Sequence, residues 1–305
     1  MSPRVSLLAV PNVSEGRRLT TIKAIGQAFD GADGISLLDV HSDADHNRAV
    51  FTLTGSPRTL ADALLLGASE AVSRIDVMRS TSEPRGEHPH VGALDVAPIV
   101  YLDESARGAA CAEALLLGDR IAEQLSVPVF LYGELTETAP GVLRTRAQLR
   151  RGGVTELSRR LAAGELRPDF GPPRLHPSAG ATLIAARPAL VAFNLQLEPP
   201  ATVVDARRIA SLIREGGAEG LTGVRAIGVQ LTGAVAQVSM NIERPYEVPL
   251  ALVVERVREH VTVASGELVG LAPSAAFAGF PEDLSMPGFD PARHLLERVL
   301  EQAHR

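Results

Sequence analysis

Between Glu83 and Pro98 the chain reads E-P-R-G-E-H-P-H-V-G-A-L-D-V-A-P. His88 and His90 stand two residues apart in it, and a histidine titrates near neutral pH, so it can carry protons in both directions. Prolines beside the charged run limit backbone freedom, which suits a side chain that must be held in place. Two further polar clusters are candidates for the same chemistry: Asn12 to Glu15, and His41 to Arg48. His41, Asp43, Asp45 and His46, with His88 and His90, are the residue types of a hard-cation or zinc site. They are equally the types of a polar hairpin turn, and the tight repeated spacing of strong metal motifs is missing. No metal is therefore expected. Arg48 and Arg85 could grip carboxylates with two parallel hydrogen bonds, or form surface ion pairs of little worth.

The elements that must position these clusters follow from periodicity. Val5 to Val10 reads as a buried strand, Leu19 to Phe29 as a helix, and Ile35–Val40 with Ala49–Leu53 as a hairpin. Pro57 to Val72 reads as a second helix, and Ile99 to Leu102 as the next strand. This is the split βαββαβ order. A helix over Ser105–Leu125, a strand over Val127–Tyr132, a helical stretch opening at Thr138-Ala139-Pro140 and a short helix over Thr155–Ala163 extend it. Arg167 to Gly180 holds too many prolines and glycines for regular structure. A long strand within Ala181–Leu197 then restarts the pattern. Asp205 caps the next helix, strands follow over Val224–Leu231 and Ala234–Ile242, and a helix over Val248–His260 and a strand over Glu267–Leu271 complete it. Asp290-Pro291 opens a last amphipathic helix through Gln302. Asn194, in an apolar strand, needs a polar partner. The fold class is α/β (α+β), with subdomains over 1–178 and 179–305.

Composition narrows the function classes. The chain has 305 residues, a formal net charge of -6 and no basic block, so nucleic acid and anionic membrane surfaces are not expected partners. Its single cysteine, Cys111, excludes a disulfide framework. The short N-terminal apolar run is not a signal peptide, and no run approaches membrane-spanning length, so a cytoplasmic protein is expected. Lys23 is the only lysine, which disfavours Schiff-base chemistry and leaves anionic ligands to arginine forks. No phosphate loop, nucleophile elbow or dinucleotide fingerprint is present.

Several segments, taken together and in order, resemble the formiminotransferase family. They are V-P-N-V-S-E-G (Val10–Gly16), L-L-D-V (Leu37–Val40), N-R-A-V-F-T (Asn47–Thr52), G-E-H-P-H-V-G-A-L-D-V (Gly86–Val96), L-Y-G-E (Leu131–Glu134), P-D-F-G-P (Pro168–Pro172), V-A-F-N (Val191–Asn194) and G-E-L-V-G-L (Gly266–Leu271). The resemblance implies two similar ferredoxin-like βαββαβ subdomains with a ligand cleft between them, and a homodimer. It implies transfer of a formimino group from N-formimino-L-glutamate to N5 of tetrahydrofolate, the folate serving as co-substrate in histidine degradation. The family's helical cyclodeaminase partner domain is not expected in this chain.

By the same resemblance His88 matches the catalytic histidine, and Gly171, Pro172, Pro173, Arg174, Leu175, His176, Pro177, Ser178, Ala179 and Gly180 match the folate-binding segment. Arg48 is the candidate for orienting the donor's carboxylates. Three positions depart from the family's pattern. His41 stands where D-V-D is usual, His90 replaces the Arg of H-P-R, and Ala179 replaces the Trp of P-S-W-G; Phe170 is a candidate substitute for that aromatic surface. His41 and His90 are therefore counted with the substrate-binding residues. The alternatives are an activity like that of a 5-formyltetrahydrofolate cyclo-ligase and a non-catalytic folate-binding protein.

Overall fold

The computed structural model describes residues 6–79, 89–139 and 142–303. Contacts divide the chain into two units, Met1–Pro188 and Ala189–Arg305. In the first, the elements run β1 (Leu7–Ala9), β2 (Asn12–Val13), α1 (Leu19–Phe29), β3 (Ile35–Asp43), β4 (Arg48–Gly55), α2 (Thr59–Arg74), β5 (Leu94–Tyr101), α3 (Arg107–Leu125), β6 (Val129–Leu131), α4 (Arg146–Arg150), α5 (Gly153–Ala162) and β7 (Thr182–Pro188). β4 pairs antiparallel with β3, β1 and β2; the last two also pair antiparallel with β5. β7 then adds to β5, and β6 to β7, both parallel.

Helices cover this sheet because their apolar residues recur at helical spacing. α1 buries Ile22, Ile25 and Phe29, and the Phe29 ring meets that of Phe51 on β4 at 5.1 Å. Burying each such ring stabilises the fold by about 2–3 kcal/mol. Gly67 on α2 makes room for it, since a Cβ there would lie 2.1 Å from the Phe29 ring. The buried Glu113 of α3 accepts from the Arg58 and Ala61 N–H groups, each at 2.7 Å. It thereby satisfies donors that the start of α2 leaves open. A separate apolar cluster joins Val96, Phe130 and Leu183 of the sheet side to Leu149, Leu157 and Leu161 of α4 and α5.

The second unit runs β8 (Val191–Leu197), α6 (Val203–Ile213), β9 (Val224–Gln230), β10 (Ala236–Ile242), α7 (Leu250–Arg258), β11 (Val263–Val269), α8 (Pro291–His294) and α9 (Leu296–Ala303). Its strands form an antiparallel sheet in the order β11-β8-β10-β9. The βαββαβ element order matches that of β1, α1, β3, β4, α2 and β5. Phe193, Leu195, Ile209, Val238 and Val253 are among its core residues. Asn194 finds its partner: its Nδ2 donates to Glu267 Oε2 at 2.9 Å.

The structure corrects several local expectations. β5 begins at Leu94 and runs through Pro98. The Pro98 carbonyl accepts from Val10 N–H at 3.1 Å, so the missing proline N–H points to the same edge, at the kink between β1 and β2, where no ladder bond is lost. Among the described residues, Thr138 and Ala139 are not helical, Ala139 bridging to Val142; α4 is capped by Thr145, whose Oγ1 accepts from Gln148 N–H while Gln148 Oε1 accepts from Thr145 N–H. That capping box satisfies donors at the start of the helix. The expected long strand within Ala181–Leu197, A-L-V-A-F-N-L-Q-L, is β8, and the structure adds β7 before it, over Thr182–Pro188. Asp205 lies inside α6, where its carboxylate accepts from the capping Thr202. The last helix is interrupted at Leu295, whose extended backbone bridges to Ala272.

Candidate functional site

β2 is only two residues long, yet it brings the three polar clusters together. Asn12 lies opposite Val50 on β4 and Val96 on β5. Its Oδ1 accepts from Arg48 Nε at 2.7 Å. Two residues on, Ser14 Oγ donates to the Gly92 carbonyl at 2.7 Å, and Ser14 N–H donates to that of Ala93 at 3.0 Å. Gly16 N–H donates to Asn47 Oδ1 at 3.0 Å. A Cβ on Gly16 would sit 2.0 Å from the Asp43 carbonyl oxygen, so the approach of these two loops requires glycine.

At the centre lies Asp95, 1% exposed on β5. Its Oδ1 accepts from Val91 N–H at 2.8 Å. Its Oδ2 accepts from Arg150 Nη2 and pairs with Arg48 Nη1 at 3.4 Å. Burial raises the Asp95 pKa, but Arg150, Arg48, the Val91 N–H and His90 together outweigh it and hold the carboxyl below its ordinary value. Burial also acts on Arg48: with repulsion from Arg150 it lowers the guanidinium well below its ordinary value, to about 9, against the pull of Asp95. Arg146 adds to that repulsion, and its guanidinium carbon lies 5.7 Å from the Tyr132 ring centroid. Among the described residues, three guanidiniums thus converge where Asp95 is the carboxylate that binds two of them.

The segment Gly171–Gly180 has no regular structure and is nonetheless fixed. His176 and Gly180 exchange backbone hydrogen bonds at 2.9 and 3.2 Å. His176 Nδ1 accepts from Ala179 N–H at 3.0 Å, and burial lowers the His176 pKa, favouring the neutral ring that can accept. Beyond the turn the segment is joined to the chain after His90. Ala93 N–H donates to the Ala179 carbonyl at 2.9 Å, and Ala181 N–H to that of Val91 at 3.0 Å. Gly171, Pro173, Arg174 and Pro177 are exposed, Pro172, Leu175, His176 and Ser178 half-buried. Ala179 is 2% exposed and presents nothing to a ligand. Phe170 packs on α3 over Gly118, where a Cβ would be 3.0 Å from its ring; that part of the ring is engaged by the fold.

Of the other residues singled out in the sequence, His88 and Arg85 lie outside the described residues. His90 is half-buried and acts electrostatically on Asp95. His41 pairs across from Val50, two positions along β3 from Asp43, which pairs with Arg48, so the register puts His41 and Arg48 on one sheet face. Asp43 Oδ1 accepts from His46 N–H at 2.7 Å, the bond of a turn. Among the described residues, three metal-type ligands gather at Glu219, Glu259 and His260 in the second unit, where Arg256 pairs with Glu259 at 3.3 Å.

Sequence reasoning did not reach the roles of Arg150, Arg146 and Tyr132. Arg146 and Arg150 are four apart and therefore neighbours on one helix face, a signal that was present. Asp95, a carboxylate entering an apolar strand, was a second.

The formiminotransferase domain, N-terminal subdomain, matches residues 6–187 of this chain. A glutamate formimidoyltransferase of Streptococcus pyogenes serotype M1 is 34% identical over 298 residues, covering 95% of this chain and 97% of that protein. One from Thermoplasma acidophilum is 33% identical over 301 residues, 96% and 97% of the two chains. The formimidoyltransferase-cyclodeaminase of Gallus gallus is 38% identical over 278 residues, 88% of this chain but 50% of that longer protein.

Proposed function

The chain belongs to the formiminotransferase family, and from that premise we propose that it moves a formimino group from N-formimino-L-glutamate to N5 of tetrahydrofolate. The observation that carries the reading is the Arg48–Asp95–Arg150 cluster, tied through Val91 N–H to the chain directly after His88 and His90. A donor with two carboxylates suits arginine forks that an ion pair already holds in place.

In the proposed reaction N5 attacks the amidine carbon, a C–N5 bond forms, and the bond from that carbon to the glutamate nitrogen breaks. N5 must lose a proton and the leaving nitrogen must gain one. His88 is assigned both transfers, taking the first proton and returning it. Arg48 orients the donor by a carboxylate, with His41 on its sheet face and His90 beside Asp95 as further donor contacts. The segment Gly171–Gly180 is assigned to tetrahydrofolate; its fixed backbone and exposed Arg174 suit a rigid platform with a cation for the folate's own glutamate. The reading includes a cytoplasmic location and a homodimer; sedimentation of the purified chain tests the homodimer. Formation of 5-formiminotetrahydrofolate from the two substrates tests the reaction.

A further inference from the structure

Among the described residues of the first unit, a tyrosine hydroxyl and a guanidinium edge are buried and unmatched. Tyr132 follows β6 and is 6% exposed, and its Oη has no hydrogen-bond partner among the described residues. Arg150 is 8% exposed; Asp95 takes its Nη2, while its Nε has no partner among the described residues. Buried polar groups without partners weaken a fold and are uncommon, so two against the same neighbours ask for an explanation. Their common neighbours place them in one region. Tyr132 and Leu149 belong to one apolar cluster, Arg146 on the same helix face as Arg150 lies over the Tyr132 ring, and both Tyr132 and Arg150 act on the charge of Arg48.

We propose that Tyr132 and Arg150 form, with Arg48, the seat for one carboxylate of a small dicarboxylate donor. The proposal rests on the formimino-transfer reading for the donor's identity and deepens it by naming two residues that hold the donor. The chemistry is matched. A carboxylate accepts about four hydrogen bonds, and here it meets a phenol O–H, an open guanidinium edge and a second guanidinium. Asp95 fixes both arginines in place by ion pairing, so the carboxylate meets donors that are already oriented. Tyr132 supplies a neutral O–H donor for the carboxylate beside the guanidiniums.

The test is calorimetric titration of wild type, Tyr132→Phe and Arg150→Lys with L-glutamate, alongside transfer kinetics with N-formimino-L-glutamate. Tyr132→Phe removes one oxygen that makes no bond within the described fold, so its midpoint of urea unfolding is expected to equal or exceed that of wild type. Its affinity for L-glutamate is expected to fall about ten-fold, and the donor KM to rise equally, with the tetrahydrofolate KM unchanged. Arg150→Lys keeps the charge but loses the fork and is expected to weaken glutamate to a similar degree. A gain in stability paired with a loss in affinity is not what a purely structural tyrosine gives. Unchanged glutamate affinity in Tyr132→Phe, or no glutamate binding by wild type, overturns the proposal. If wild type transfers the group well and both variants keep its donor KM, the seat is wrong and the formimino reading stands. If wild type binds glutamate through Tyr132 but transfers nothing, the seat stands and the reading of the reaction falls.

Discussion

Gly92 and Gly180 face one another in an isolated antiparallel bridge that closes the folate-assigned segment onto the chain just after His90. Neither position admits a side chain. A Cβ on Gly92 would lie 1.8 Å from the Ala181 carbonyl oxygen, and one on Gly180 would lie 2.2 Å from that of Val91. Gly180 also has a φ of +70°, which L side chains adopt only under strain. Gly180→Ala is therefore expected to cost at least ~2 kcal/mol in urea unfolding. Gly34→Ala, with φ +79° but nothing near its Cβ, is expected to cost only the ~1 kcal/mol of the backbone conformation. Equal effects would mean that the close approach contributes nothing.

Asp95→Asn keeps an acceptor for Val91 N–H but removes the charge between two buried arginines. Breaking such a pair costs about 3–5 kcal/mol, measurable as a lower urea midpoint at neutral pH. The acid limb has a definite sign. A carboxyl held below its ordinary 3.8 contributes stability that is present above 3.8 and is lost as pH falls through the lower folded value. Wild type and Asp95→Asn should therefore converge in stability below that window; a gap that persists at lower pH would contradict the ion-pair account.

Arg48 receives an oxygen from Asn12 and one from Asp95, and burial with repulsion from Arg150 makes its charge costly. Arg48→Met should raise the donor KM by about ten- to a hundred-fold, the worth of one or two charge-assisted bonds. The KM for tetrahydrofolate should stay within about two-fold of wild type by the same argument. A matched rise in both constants would place Arg48 in the folate platform or in the fold.

His176 holds its turn as a neutral acceptor, and burial lowers its pKa from 6.5. Its contribution is thus fully present above pH 6.5 and is lost as pH falls through the lower folded value. After correction for intrinsic rates, amide exchange at Ala179 should accelerate on acidification below pH 6.5. His176→Ala should exchange fast at every pH. An Ala179 amide protected equally at both ends of that range would contradict the assigned tautomer.

Much of this architecture was legible because it is periodic. Ile22, Ile25 and Phe29 announce α1, and the repeated βαββαβ order appears in both halves from apolar runs and turn residues alone. The failures share a cause: a tertiary partner overrode a local signal. Pro98 reads as the end of a loop until the kink at Pro11 supplies an edge that needs no N–H from it. Leu295 reads as the middle of a helix until Ala272 takes its neighbours' hydrogen bonds. The three polar clusters around Asn12, Arg48 and Asp95 were visible as clusters, and the fold joins them through β2. Arg150 and Tyr132 were not visible as site residues, because only the packing of α4 against the sheet brings Arg150 to Asp95 and Arg146 to the Tyr132 ring.

The central claim is formimino transfer with His88 moving the protons. It is tested most directly by following 5-formiminotetrahydrofolate formation from N-formimino-L-glutamate and tetrahydrofolate, in wild type and His88→Ala. The account predicts robust turnover in wild type and a loss of about 10²–10⁴-fold in the variant, the usual worth of general acid–base catalysis. No turnover by wild type, or a variant as fast as wild type, would contradict it.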